Sequence, residues 1–230
     1  MIEKDAYLKL HTAPLVPTNM VINIDNFYIS MQKYKYAFRS WGERKKHFPR
    51  YGLALVNREG NLYNNPEPVC YPLDEWIENM TQEEKANNLD RNFNVKTEVL
   101  DEVCFDSLSS IKQYMIRSCI LRWDKETFFH PHTDTWFPSP ILRLWGTSEP
   151  DKVKIRFDKN LQRSNPWEVP NQETIELRDF EDIIIDPGRL YVIDTNIIHS
   201  ARSLVNEPTY QFFIALHSDG YSLIKDHICV

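Results

Sequence analysis

No Cys-x-x-Cys pair occurs in this chain. Its four cysteines, Cys70, Cys104, Cys119 and Cys229, are scattered, so neither a zinc site nor a disulfide framework is expected. Reduced thiols in a cytosol fit that pattern, and a cytoplasmic location is the expectation. No run of apolar residues is long enough for a membrane-spanning helix. The opening, Met1 to Ala6, lacks the basic-then-apolar layout of a secretory leader. Positive charge is not in excess either: a net charge of −6 argues against a general nucleic-acid coat. The basic run Arg44-Lys45-Lys46-His47, followed by Arg50, reads as a solvated face. Internal repeats and low-complexity linkers are missing as well.

What is present is core-forming material. Hydrophobic residues make up 42% and aromatics 13% of 230 residues, enough for one large domain with a sizeable core. In the first half, Pro14 and Pro17 oppose a long helix near the start. Asn26 to Trp41 carries Phe27, Ser30, Met31, Tyr34 and Phe38 at helical spacing. Tyr51 to Val56 reads as a strand closed by Glu59-Gly60-Asn61. Leu73 to Leu89 and Thr97 to Asp106 favour helix.

After Ser107 the character changes to strands. These are the end of Ile111–Trp123, 127–134, Ile141–Trp145, Val153–Phe157, Glu173–Leu177, two runs around Pro187-Gly188, and Tyr210–His217. Eight short strands with turns between them predict a mainly β fold with flanking helices, a double-stranded β-helix or cupin-like jelly roll. One domain is expected over 1–230. Residues 1–107 are then a helical, substrate-side elaboration, and 108–217 the jelly-roll core.

His130-Pro131-His132-Thr133-Asp134, answered later by His199, carries the chemistry. On an extended strand, residues i and i+2 share a face, so His132 and Asp134 present an imidazole and a carboxylate together. His199 lies in a second apolar, strand-like stretch. Two histidines and one carboxylate bind one face of Fe(II) and leave the other open for substrates and oxygen. His130 shares the nominal face of His132, but Pro131 between them points to a bulge. That leaves His130 a supporting role, with the ligand role as its alternative. Asp194 reads as a turn residue in Asp194-Thr195-Asn196, and His217 as a core or edge histidine. His11, His47 and His227 lie outside any constellation.

Pro131 to Asp134, Arg143-Leu144-Trp145, Lys154-Ile155-Arg156, Gly188 to Asp194 and His199 together resemble the core of the aspartyl/asparaginyl β-hydroxylase-like family. That family belongs to the Fe(II)- and 2-oxoglutarate-dependent oxygenases. The resemblance spans about residues 108 to 217. It implies Fe(II) on His132, Asp134 and His199, with 2-oxoglutarate and O2 as cosubstrates. The implied reaction hydroxylates an unactivated C–H bond of an amino acid, a peptidyl residue or a related small molecule, releasing succinate and CO2. It also implies an arginine about ten residues after the distal histidine, clamping the far carboxylate of 2-oxoglutarate. Here that position is Thr209, and Leu204 to Leu216 holds no Arg or Lys.

The counter-charge must then come from elsewhere. Arg143, in Ile-Leu-Arg-Leu-Trp, is the first candidate, because a guanidinium among apolar residues calls for an anionic partner. Arg202 is the second and Arg122 the third, with structural ion pairs as the alternative for each. Trp123, Trp136 and Trp145 line a pocket or fill the core. A cupin-type metal-dependent dioxygenase or isomerase without 2-oxoglutarate is the other enzymatic reading, weakened by only six glycines. A non-catalytic binding module is a third, opposed by the presence of all three candidate ligands. Small-molecule or peptidyl substrates are expected as partners; nucleic acid and membrane are not.

Overall fold

The computed structural model describes residues 13–40, 50–62, 92–103, 108–133, 142–161 and 178–229. Among the described residues, the chain after Ser107 forms eight strands, most of them on stretches read as strands. These are β5 (Met115–Trp123), β6 (Thr127–His132), β7 (Leu142–Thr147), β8 (Val153–Asp158), β9 (Phe180–Ile183), β10 (Arg189–Ile193), β11 (His199–Ser203) and β12 (Thr209–Leu216). From β5 to β12 the chain crosses between two antiparallel sheets at every step except β8 to β9, which are neighbours in the smaller one; this is the jelly-roll path. The smaller sheet runs β6-β11-β8-β9, and the larger contains β10-β7-β12-β5. The expected double-stranded β-helix is therefore the observed fold.

Besides the strand read from Tyr51 to Val56 and the helices read after Asn26 and Thr97, the first half holds strands that the sequence reading did not expect. It supplies β1 (Leu15–Val21), β2 (Arg39–Ser40), β3 (Arg50–Asn57) and β4 (Val95–Lys96). β1 extends the large sheet beyond β10, β3 and β2 extend it beyond β5, and β4 pairs with β3. Proline is tolerated in β1 because β1 is an edge strand, where a missing N–H leaves no ladder bond broken. The Pro187-Gly188 turn forms as read, with Gly188 at φ +72°, a conformation glycine adopts without steric cost.

Helix α1 (Ile24–Tyr34) starts where Asn23 caps the backbone N–H of Asn26 at 3.0 Å. It buries Phe27, Met31 and Tyr34. Phe27 meets Tyr210 and Phe212 of β12 edge-on, at 5.2 and 5.0 Å between ring centroids. Helix α2 (Glu98–Val103) joins the same core through Val99, Leu100 and Val103. Both helices thus cover the outer face of the large sheet. The readings at Leu73–Leu89 and Glu173–Leu177 lie outside the described residues.

Alternation divides the large sheet cleanly. Leu53, Leu55, Ile120, Leu144, Phe212 and Ile214 belong to the helix-side core. Their neighbours face the other sheet: Trp145, Tyr191 and Ile193 pack with Ile155 and Phe157 of β8. Trp123 packs with Val153 and Ala201. This space between the sheets is where the candidate site lies.

Candidate metal centre

β6 and β11 pair antiparallel, and the register sets His132 opposite His199. The two rings lie 4.5 Å apart between centroids, tilted by 48°. Each imidazole makes the same local hydrogen bond. The Nδ1–H of His132 donates to the carbonyl of His130 at 2.8 Å, and that of His199 to the carbonyl of Ile197 at 2.9 Å. A carbonyl can only accept, so in each neutral ring the proton sits on Nδ1 and the lone pair on Nε2. Metal-binding histidines are commonly fixed in this way, one nitrogen held by an outer carbonyl and the other turned to the ion. His199 is buried, between its partner ring and Phe157. Phe129 stands edge-on to His132 at 4.5 Å.

The bulge expected at Pro131 is present. His132 pairs with His199 and Phe129 with Ala201, so two residues, His130 and Pro131, oppose Ser200 alone. The extra residue breaks the two-residue alternation. Phe129 and His132 consequently share a face, while His130 is exposed beside the ring of Phe128. Asp134 and Trp136 lie outside the described residues. Among the described residues, no group of three potential ligands forms.

The three arginines separate. Arg143, on β7, is buried and shares the face of Trp145, looking toward the small sheet. Its Cζ lies 5.2 Å from the Phe213 ring centroid. Its lateral neighbours are Ile193 on β10 and Ala215 on β12. It therefore sits at the end of the sandwich where β10 passes into β11 and His199. Arg122 faces the helices instead: it pairs with Asp124 at 2.8 Å and packs on Phe38 and Tyr51. Arg202 is on the opposite face of β11 from His199 and donates to Asp182 at 2.5 Å. Neither enters the space between the sheets.

Other titratable groups take structural roles. Asp194 is buried and accepts from the backbone N–H of Asn196, the turn role expected of it. His217 lies beside Asp219, and His227 bonds Asn19 and Ser110. Burial pushes the Tyr191 phenol up, and its oxygen accepts from the backbone N–H of Asp186 at 2.9 Å.

Arg50 corrects the reading of its basic run. It is only 6% exposed, and its guanidinium stacks on Phe129 with Cζ 3.9 Å from the ring centroid. The signal was in the sequence. Counting back by two along β3 from Ala54 through Gly52 reaches Arg50, on the face away from Leu53 and Leu55. Arg44 to His47 lie outside the described residues.

No family model and no curated protein matches the chain. Solved structures do. A non-heme α-ketoglutarate-dependent epimerase from nogalamycin biosynthesis, SnoN, is 12% identical, with a TM-score of 0.50 over 93% of this chain and 82% of that one. A prolyl-4-hydroxylase from Pseudomonas putida is 9% identical, with a TM-score of 0.46 over 94% and 98%. The chain shares the double-stranded β-helix fold of the epimerase. At that identity the likeness is one of fold.

Proposed function

We propose that this chain is an Fe(II)- and 2-oxoglutarate-dependent oxygenase in which His132, Asp134 and His199 hold the metal. The observation that carries the reading is the pairing of His132 with His199 on neighbouring strands of a double-stranded β-helix, each with its Nδ1 held by the carbonyl two residues before it. Asp134 follows His132 by two residues and supplies the carboxylate such a site needs. Donors of nitrogen and oxygen suit Fe(II), and the absence of cysteine from the set disfavours a thiolate metal site. The solved neighbours include α-ketoglutarate-dependent enzymes by description, in keeping with this chemistry.

Bound iron and 2-oxoglutarate would together activate O2, with one oxygen atom going to a substrate C–H bond and the other to succinate as CO2 leaves. The protein's own part is positional. The two carbonyl-held imidazoles present Nε2 without reorganisation. Arg143, at the same end of the sandwich, provides a cation for a carboxylate beside the metal. Trp145, Ile155 and Phe157 wall the interior and exclude water from it. Hydroxylation is the proposed outcome, on an amino acid, a peptidyl residue or a related small molecule. In detail, an aspartyl/asparaginyl β-hydroxylase-like enzyme is proposed. Among the described residues no helix is long and apolar enough to cross a membrane. Free Cys119 and Cys229 accord with a reducing compartment.

The test is an anaerobic titration of the Fe(II) protein with 2-oxoglutarate, followed by a succinate-release screen over free amino acids and short peptides. A visible metal-to-ligand band on adding 2-oxoglutarate supports the reading. Fe(II) binding without that band makes the chain a cupin-type enzyme instead. Binding of neither makes it a non-catalytic module.

A further inference from the structure

Deeper between the sheets lies a second polar group of side chains, away from the histidines. Arg50 on β3, Trp123 on β5 and Thr209 on β12 are successive lateral partners across three strands, so they share one face. Gln211 is the next residue on that face along β12. All four are buried: Arg50 is 6% exposed and Gln211 1%. The Trp123 indole N–H donates to the Gln211 side-chain carbonyl at 2.9 Å. That bond fixes the amide's orientation; among the described residues its Nε2 then has no hydrogen-bond partner, and neither has the buried Thr209 hydroxyl. Two unsatisfied polar groups beside a buried cation are costly in an apolar core. Each is satisfied if an anion enters the space they surround.

We propose that Arg50, Gln211 and Thr209 form the pocket for the far carboxylate of 2-oxoglutarate, an inference that rests on the proposed oxygenase function. Position supports it. Trp123 packs against Ala201 and, with Arg50, lies beside Phe129. Ala201 is two residues along β11 from His199, a depth of about 6.8 Å. The carbon chain of 2-oxoglutarate spans a similar length. Phe129 also touches His132, so a single ring separates the Arg50 guanidinium from a metal ligand. A diacid with its keto-acid end at His132 and His199 therefore places its other end among Arg50, Gln211 and Thr209. The guanidinium supplies the charge, and the amide N–H and hydroxyl supply neutral donors. The missing arginine at Thr209 is thus replaced from β3, a strand outside the eight-stranded jelly roll.

The experiment compares 2-oxoglutarate with 2-oxovalerate, which keeps the keto acid but ends in a methyl group. Binding to the anaerobic Fe(II) protein is followed by the visible band and by quenching of tryptophan fluorescence. Wild-type protein should prefer the diacid by about tenfold or more, as expected for charge-assisted hydrogen bonds. Arg50→Gln and Gln211→Glu should each erase most of that preference while leaving 2-oxovalerate affinity within about twofold. Gln211→Glu keeps the acceptor for Trp123, and Thr209→Val offers a third, smaller change. Circular dichroism establishes that each variant is folded. If folded variants keep the wild-type preference, the assignment is overturned. It is overturned without any variant if the wild type binds both acids equally. Failure of both acids to bind the wild type overturns the oxygenase reading itself, and the pocket with it.

Discussion

His132 and His199 face each other across β6 and β11 with rings 4.5 Å apart, and each ties its Nδ1 to the carbonyl two residues before it. The repetition of that local bond has a physical consequence. Both rings are locked in one tautomer and one orientation before any ion arrives, so binding need not fund their ordering. The bulge at Pro131 completes the arrangement by turning His132 inward and His130 out.

Replacing His132 or His199 by Ala should weaken Fe(II) binding more than about 100-fold, since even the outer partners of a ligand are worth roughly 10–100-fold. His130→Ala should leave it within a few-fold, because only its carbonyl serves the site and Ala keeps that carbonyl. Calorimetric titration under anaerobic conditions reads both. A His130→Ala loss matching that of His132→Ala would show that the bulge has the other register.

Gly188 should be intolerant of any side chain. Its φ is +72°, and a Cβ there would lie 2.3 Å from the carbonyl oxygen of Ile22. That oxygen belongs to backbone entering α1, so it cannot simply swing aside. Left-handed backbone costs a residue with a Cβ about 1–2 kcal/mol before any clash is counted. Gly188→Ala should therefore cost about 2 kcal/mol or more in urea unfolding, displacing the turn that leads into β10.

The jelly roll was legible because β5, β7, β8, β10 and β12 are short, largely apolar and punctuated by turns, whereas β9 and β11 carry mostly polar residues. The meeting of His132 and His199 was legible because both lie in strand-like stretches that a jelly roll can bring together. Two things were not. Leu15 to Val21 forms a strand, where Pro14 and Pro17 argued only against a long helix. Its ladder with β10 is a long-range pairing that no local pattern announces. Arg50 looked solvated because its charged neighbours were read as one run. Its side chain follows the alternation of β3 instead, which carries it under Phe129. Arg122 and Arg202 obey the same rule. Alternation sets their faces, away from those of Trp123 and His199, and Asp124 and Asp182 meet them there.

Tyr28 anchors α1 to the turn after β7. Its hydroxyl donates to Glu149 Oε2 at 2.6 Å and lies 3.2 Å from Ser148 Oγ. Burial, then the Glu149 contact, raises its phenol well above the ordinary range. The folded state thus holds this proton more tightly than the unfolded chain does. The stabilisation is complete below the ordinary tyrosine value of about 10 and is lost as pH climbs through the raised one. Tyr28→Phe should cost about 1.5 kcal/mol near neutral pH, the lower end for a hydrogen bond to a charged group. The difference between variant and wild type should stay flat from pH 6 to 9 in thermal melts; a steep change within that window would contradict the assignment.

Arg143 offers a separation that the other arginines cannot. It faces the interior level with Ile193 and Ala215, at the end where His199 begins β11. A cation there meets whichever carboxylate lies beside the metal, and that group is common to every 2-oxo acid. Arg143→Gln should therefore weaken 2-oxoglutarate and 2-oxovalerate alike, by about tenfold, corresponding to one charge-assisted hydrogen bond of ~1.5 kcal/mol. Arg122→Ala and Arg202→Ala should change neither affinity, because their guanidiniums are engaged with Asp124 and Asp182 outside the sandwich. Anaerobic titration of the three variants with both acids decides the matter. Loss of 2-oxoglutarate alone in Arg143→Gln would move the far carboxylate to the metal end of the sandwich. Loss in Arg202→Ala would mean that β11 presents its other face to the cosubstrate.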